Sequence, residues 1–474
     1  MQTSVNRQER QRMSRLPRDG SVPLLTSHAE EALWFADRWR KGTNAFNDTT
    51  AFQLAGADAA ALEAALVRLV ERHEILRTSF HEVDGQLRRR IHGVEAFRVL
   101  RQEIAGSDAA ARQQQALAAQ HEKCFELDAG PLFRASILEV AGRARCLGIT
   151  MHHIICDFPS WKSLRSDLAA LYDAVAGGCD PKLPQLEFQY ADYAGWQRQR
   201  WSGAKLDALR NYWVRQLQHA PDCINLPTDR PRTGGSGPGG CVIFKLSRSV
   251  HEEVEALARQ QRTSTFVILL ATFSLLLHRV SGDSAVVVGV PLQSRARMEL
   301  PDMVGLFLDT IALQTLFADV RAFDELFAQV NAATIEGRAR AEMPTAALLD
   351  GLGRSCESLH TPVFQVMFNF RGSEFWKGLV RGGVQQGGLA SVGVSPVENS
   401  LDDLGSLVPI RIHAAWTAKY DLLMNVAEDE ELTFYLTYNA ALFERETING
   451  MANQYTALLK QALVDACGSV DADG

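Results

Sequence analysis

The 474-residue chain is 46% apolar and 22% charged, and its 56 acidic residues against 49 Lys and Arg give a net charge of -7. That length exceeds one typical core, so two lobes with a ligand cleft between them are expected. The acidic balance argues against a nucleic-acid partner, because a duplex-binding surface needs a clustered excess of Lys and Arg.

No run approaches the ~20 apolar residues of a membrane span, and the N-terminus lacks a signal-peptide core. The eight cysteines are scattered, without a C-x-x-C pair or metal-ligand spacing. They read as buried thiols of a reducing compartment, so a cytoplasmic protein without membrane contact is expected, with no metal site.

Residues 1–20, rich in Arg and Gln, read as a flexible N-terminal tail. From Ala51 the pattern predicts a strand at Phe52-Gln53-Leu54, a turn at Gly56 and a helix N-capped by Asp58, with Leu62, Leu66, Leu69 and His73 at helical spacing. The same plan recurs about 190 residues later. There Val242-Ile243-Phe244-Lys245-Leu246 forms the strand, and Ser249 with Glu252 forms a capping box before Val250, Val254 and Leu257. The recurrence suggests two lobes of related α/β fold.

The central signal is Cys146-Leu147-Gly148-Ile149-Thr150-Met151-His152-His153, an apolar strand ending in two histidines. Period-two alternation sets His153 on the face of Leu147, Ile149 and Met151, and His152 on the other. One histidine can then face a cleft while the other is locked into the fold. Asp157-Phe158-Pro159-Ser160 breaks the strand, and Ser160 can N-cap a helix carrying Trp161, Leu164, Leu168, Leu171 and Val175. A rigid strand end beside a helix suits a reactive imidazole, whose ordinary pKa near 6.5 fits proton transfer at neutral pH. A satisfied core histidine is the bland reading of the same residue.

The irregular segment Asp229-Arg230-Pro231-Arg232-Thr233-Gly234-Gly235-Ser236-Gly237-Pro238-Gly239-Gly240 reads as the linker between lobes. A second irregular stretch, residues 382–407, reads as a lid, a docking loop or disorder. The expected domains are a tail at 1–20, an N-terminal lobe at 21–180, a connecting segment at 181–240 and a C-terminal lobe at 241–470.

His152, His153 and Asp157, followed by Ser160, Leu164, Asp167 and Leu168, resemble the His-His-x-x-x-Asp-Gly signature of nonribosomal peptide synthetase condensation domains, in the chloramphenicol-acetyltransferase-like superfamily. The resemblance runs over roughly residues 22 to 465. It includes Arg72-His73-Glu74-Ile75-Leu76-Arg77-Thr78-Ser79-Phe80, Gln189-Tyr190-Ala191-Asp192-Tyr193-Ala194 with Trp196, and Leu226-Pro227-Thr228-Asp229-Arg230-Pro231. Gly289-Val290-Pro291, Arg295-Ala296-Arg297, Val304-Gly305-Leu306-Phe307-Leu308-Asp309-Thr310, Pro362-Val363-Phe364-Gln365-Val366-Met367-Phe368 and Tyr438-Asn439 extend it.

The resemblance implies two chloramphenicol-acetyltransferase-like lobes in a V-shaped pseudo-dimer around a central tunnel. It implies acyl transfer from a phosphopantetheine-tethered donor to an amine or hydroxyl, with no cofactor held by the enzyme itself. His153 corresponds to the catalytic histidine, His152 to the structural one, and Asp157 to the residue that supports the turn by pairing with an arginine, here Arg295. Phe158 and Ser160 fall along the substrate channel.

The departures are Phe158 for the family glycine, Glu30 and Ala32 for the family Gln and Arg, and Asp309 for an Asn. They point to an unusual acceptor or docking surface. With no adenylation signature and no carrier-type serine motif, a monomer is expected that meets an acyl or peptidyl carrier protein in trans and uses a small soluble acceptor. The competing reading is an inactive condensation-like module that recruits partners to a carrier protein. Paired histidines in place of aspartates argue against the cyclising subclass.

Overall fold

The computed structural model describes residues 13–39, 42–104, 108–232, 237–294, 302–354, 361–371, 408–410 and 417–468. In the first half lie α1 (His28–Trp39), β1 (Asn47–Asp58), α2 (Ala59–Arg72), β2 (Thr78–Val83), β3 (Gln86–Ile91), β4 (Val99–Glu103), α3 (Ala109–Glu122), β5 (Phe133–Val140), β6 (Arg143–His152) and α4 (Phe158–Ala176). Then come α5 (Tyr190–Arg200), α6 (Ala204–Leu217), β7 (Gly239–Leu246), α7 (Arg248–Gln260), α8 (Thr265–Ser281), β8 (Ala285–Gln293), β9 (Leu308–Leu316), α9 (Phe323–Ala339) and α10 (Thr345–Leu352). The chain closes with β10 (Val366–Arg371), β11 (Val408–Ile410), β12 (Leu422–Glu428), β13 (Leu432–Asn439) and α11 (Arg445–Gly468).

Two mixed sheets organise these elements, ordered β11-β1-β6-β5-β4 and β7-β13-β12-β10-β8-β9, with β2 and β3 as a separate hairpin. Around the first sheet, Leu62, Leu66 and Leu69 of α2 and Trp161, Leu164, Leu168 and Leu171 of α4 join Leu147, Ile149 and Met151 of β6 in one apolar core. This is the helical and strand periodicity expected from the sequence. Asp167 of α4 ties the two helices together, accepting from Arg72 Nε at 2.7 Å and lying 2.9 Å from His73 Nε2. The second core gathers Val254 and Leu257 of α7 with the buried face of α8 and the inner residues of β8, β12 and β13.

Asp58 does N-cap α2, its carboxylate accepting the amides of Ala60 and Ala61 at 2.8 and 2.9 Å. Gly56 does not make the expected turn. With φ +110 it lies inside β1, where the register against β6 shifts between Gln53 and Ala57, so its conformational freedom absorbs a β-bulge. The expected capping box at Ser249 does not form: α7 starts earlier, after Ser247, and the Ser249 hydroxyl donates to Glu253.

The division of the chain departs from the sequence expectation in three places. The segment read as connecting, 181–240, contains two helices, and Tyr190 and Tyr193 of α5 join the first core whereas Leu209, Trp213 and Leu217 of α6 join the second. Met303, Val304, Leu306 and Phe307, from the second half, pack into the first core, and β11 pairs antiparallel with β1. The tail is anchored from residue 15 onward: Arg15 donates to the Glu187 carbonyl, Leu16 N–H to Asp192, and Arg18 bridges Glu74 and Asp192. Residues 1–12 and the stretch 382–407 lie outside the described residues.

Of the described cysteines, Cys146 and Cys156 are buried, Cys179 is exposed and the rest are half-buried, so burial is not general as the sequence suggested. Among the described residues no single helix is long and apolar enough to cross a membrane.

Candidate active site

The site forms where the end of β6 meets the start of β1. Asn47 pairs with His152 across the ladder, and the next amide, His153 N–H, donates to the Phe46 carbonyl at 2.8 Å. β6 ends at His152, and His153, Ile154 and Ile155 form a 3-10 turn. Strand alternation therefore does not govern His153, contrary to the sequence expectation. The turn, not the strand pleat, carries His153 away from the core face while Ile154 and Ile155 stay buried.

The two imidazoles occupy different surroundings. The His152 side chain is 3% exposed, and its Nδ1 accepts the Ile154 amide at 3.2 Å. That leaves the proton on Nε2, which donates to Asp37 Oδ1 at 3.1 Å. Burial pushes its pKa down, with Asp37 opposing, so the ring is held neutral in one tautomer. His153 is 19% exposed and lines a cavity of about 1040 Å³.

Asp48, on β1, places Oδ2 3.0 Å from His153 Nδ1, and Lys419 Nζ stands 4.0 Å from its other oxygen. The contact has ion-pair distance without in-line hydrogen-bond geometry, since Nδ1 is sealed from solvent yet not aligned on the carboxylate. Burial disfavours the Asp48 charge, but His153 and Lys419 outweigh it and hold the carboxyl below its usual range. Sequence reasoning missed Asp48, and no local pattern could have found it, because its role depends on the β1–β6 register.

Asp157 is the N-cap of α4, in place of Ser160. Its Oδ1 accepts the Ser160 amide at 3.0 Å and the Ser160 hydroxyl at 2.6 Å. Ser160, at the third helical position, completes a capping box and reaches Gly305. Arg295, the expected partner of Asp157, lies outside the described residues.

Phe158 is the first residue of α4 and is not among the residues with positive φ. The backbone at this position therefore does not require a glycine. The difference is in the side chain: the Phe158 ring lines the cavity, with the Arg371 guanidinium 5.8 Å from its centroid. Burial pulls Arg371 down to about 10.

Glu30 does not face the cavity. It is fully buried, accepts the Ser27 amide at 2.7 Å while its own amide donates to Ser27 Oγ at 3.1 Å, and is paired with Arg89. Ser27-x-x-Glu30 is thus the capping box of α1, a pattern visible in the sequence and absorbed by the fold rather than by an acceptor. Ala32 and Asp309 do line the cavity.

One donor atom each from Asp48, His153 and Cys156 lies within 4.8 Å of the others. Burial pushes the Cys156 thiol well up, against the thiolate that either a metal or a nucleophilic role requires. What the arrangement offers is a cleft imidazole backed by a carboxylate, able to take a proton as a nucleophile attacks.

Residues 22–471 match the family model for the condensation domain. The chain belongs to the condensation-domain family. It is 32% identical over 457 residues to phosphinothricin tripeptide synthetase PhsC of Streptomyces viridochromogenes, covering 94% of this chain and 40% of that protein. Against malpinin synthetase of Mortierella alpina it is 30% identical over 452 residues, covering 94% of this chain and 6% of that protein. The chain thus spans less than half the length of these relatives.

Solved structures of similar fold include the X-domain from teicoplanin biosynthesis, with a TM-score of 0.80 at 24% identity over 96% of this chain and 98% of that one. SgcC5 from Streptomyces globisporus gives a TM-score of 0.68 at 21% identity over 93% and 98%. Condensation domains act on phosphopantetheinyl thioesters borne by carrier proteins in nonribosomal peptide synthesis.

Proposed function

We propose that this condensation domain joins a carrier-bound acyl, polyketide or peptidyl thioester to a small soluble acceptor, forming an ester or an amide. The observation that carries the reading is His153, an imidazole at the wall of a large cavity with a carboxylate behind it. In this reading the acceptor X–H is deprotonated at His153 as X attacks the thioester carbonyl. The C–S bond then breaks, and the proton passes to the departing phosphopantetheine thiolate. Backbone and side-chain dipoles around the carbonyl supply the remaining stabilisation.

His152 serves as the locked partner that fixes the turn, and Asp157 supports it from the helix side. Phe158 narrows the acceptor side of the channel, which favours a compact acceptor over one tethered to a second carrier. SgcC5, which shares the fold, was solved with a small naphthyl 1,2-ethanediol, and this lends weight to a hydroxyl acceptor. The two sheets form the arms of a V around a two-mouthed tunnel, with the domain working as a monomer that meets its carrier protein in trans.

The test is intact-mass analysis of an acyl-loaded carrier protein incubated with the domain and a panel of amines and alcohols. Acceptor-dependent unloading that is absent with His153→Ala supports the reading, and none with any acceptor opposes it.

Recruitment is the second reading, favoured by the likeness to the X-domain, a protein also solved in complex with OxyB. If His153→Ala sustains biosynthesis in the producing cell while deletion of the domain abolishes it, recruitment replaces catalysis.

A further inference from the structure

Of the acidic residues that line the cavity, Asp48 is the one against the His153 ring, and the acyl-transfer reading does not by itself explain its place. Asp48 sits on the same side of the His153 ring as Nδ1, at 3.0 Å, and the register of β1 against β6 fixes that position. Lys419, preceding β12 in the other sheet, supports the second carboxylate oxygen. The Nδ1 edge is closed to solvent although the ring as a whole is 19% exposed, so the ring opens to the cavity through its other edge.

We infer that Asp48 is the positioning residue of His153, holding the neutral ring as the Nδ1–H tautomer so that a bare Nε2 faces the acceptor. This rests on the acyl-transfer reading for its purpose, but the tautomer is a property of the protein alone. A neutral imidazole can present only one basic nitrogen, and an anion beside Nδ1 favours the tautomer whose proton points at it. When Nε2 takes the acceptor proton the ring becomes cationic, and a carboxylate already in place at 3.0 Å stabilises that charge without reorganisation. The off-line geometry of the resting pair is no obstacle, because such contacts tighten only when substrate is bound.

The two histidines are thereby chemically distinct. His152 has Nδ1 occupied by the Ile154 amide and carries its proton on Nε2, the opposite tautomer from the one assigned to His153. A ring with both nitrogens engaged cannot act as a base. Adjacent residues are given opposite tautomers by two aspartates, Asp37 and Asp48, on different elements.

The experiment is long-range 1H–15N NMR of histidine ring nitrogens in the whole domain, with the His153 signals assigned by His153→Gln. The expected result is a protonated Nδ1 and an unprotonated Nε2 at high pH. Asp48→Asn is expected to lose this preference, and its kcat to fall about 100-fold or more with little change in the acceptor KM, on the scale of removing an orienting carboxylate. Asp48→Glu should restore part of the rate.

An Nε2–H tautomer in the wild type overturns the inference without any variant. So does an Asp48→Asn domain with the wild-type tautomer, or one with wild-type kcat. Absence of transfer by the wild type, with the Nδ1–H tautomer present, instead counts against the acyl-transfer reading and leaves the ring assignment standing.

Discussion

Ser160 Oγ accepts the Gly305 amide at 3.1 Å and lies 3.0 Å from the Gly305 carbonyl oxygen, while its single proton goes to Asp157 Oδ1 at 2.6 Å. This one hydroxyl joins the helix behind the active turn to a segment from the second half of the chain. Tyr190 clamps the same segment, donating to the Leu306 carbonyl and receiving the Ser27 hydroxyl at 2.9 Å. The stretch 303–307 is thereby held in the first core.

Ser160→Ala leaves the Gly305 amide without this acceptor and Asp157 without one donor, both buried. The expected loss is about 2–4 kcal/mol of stability, read as a lower urea midpoint at unchanged slope. Gly305→Ala is expected to cost at least as much, since an added Cβ would lie 1.9 Å from Tyr190 Cδ2, inside the ring's packing surface.

The two histidines should separate stability from activity. His152→Ala strands Asp37 and the Ile154 amide and is expected to destabilise the domain by about 2–4 kcal/mol. His153→Ala, at the cavity wall, is expected to change stability by less than about 1 kcal/mol while abolishing transfer. Thermal unfolding of both variants beside the wild type checks the contrast.

His28, which lines the same cavity, gives the domain an acid sensitivity of its own. Burial, with Arg198 nearby, lowers its pKa to about 3, even though its Nδ1–H donates to the Glu342 carbonyl at 2.9 Å. The unfolded chain binds this proton near 6.5 and the folded chain does not. Stability from a neutral His28 is therefore fully present above about 6.5 and is lost as pH falls toward about 3, at a slope near 1.4 kcal/mol per pH unit. In His28→Asn, denaturant midpoints between pH 6 and 4 are expected to fall less steeply by about one proton's worth.

Phe158→Ala should leave the fold in place, because residue 158 needs no special backbone angle, and should widen the cavity on the acceptor side. The ratio of kcat/KM for a bulky over a compact acceptor is expected to rise about 10-fold or more. An unchanged ratio would place the ring outside the acceptor path.

Much of this arrangement is legible in the sequence because it is local. The spacing of Leu62, Leu66 and Leu69, and of Trp161, Leu164, Leu168 and Leu171, marks the buried faces of α2 and α4 through the helical period alone. The Asp58 cap follows from one short side chain ahead of an apolar repeat. His153 and Asp157 belong to a motif whose residues lie within a few positions of each other.

The rest is illegible for equally physical reasons. Asp48 and Asp37 meet their histidines across about 100 residues or more of chain, through a strand register and a helix placement that no short window encodes. The bulge at Gly56 depends on pairing with β6, so from sequence the glycine reads as a turn. The split of α5 and α6 between two cores depends on tertiary packing. Phe158 misleads through analogy, since a glycine in relatives suggests a backbone demand that α4 does not make.

The most direct measurement is the single-turnover rate of thioester loss from an acyl-loaded carrier protein, with a competent acceptor, for wild type and His153→Ala at equal fold stability. The expected result is a fall of about 100-fold or more, the scale of removing a general base, with product mass equal to donor plus acceptor less the carrier thiol. Equal rates for the two proteins would contradict the claim that His153 carries the reaction.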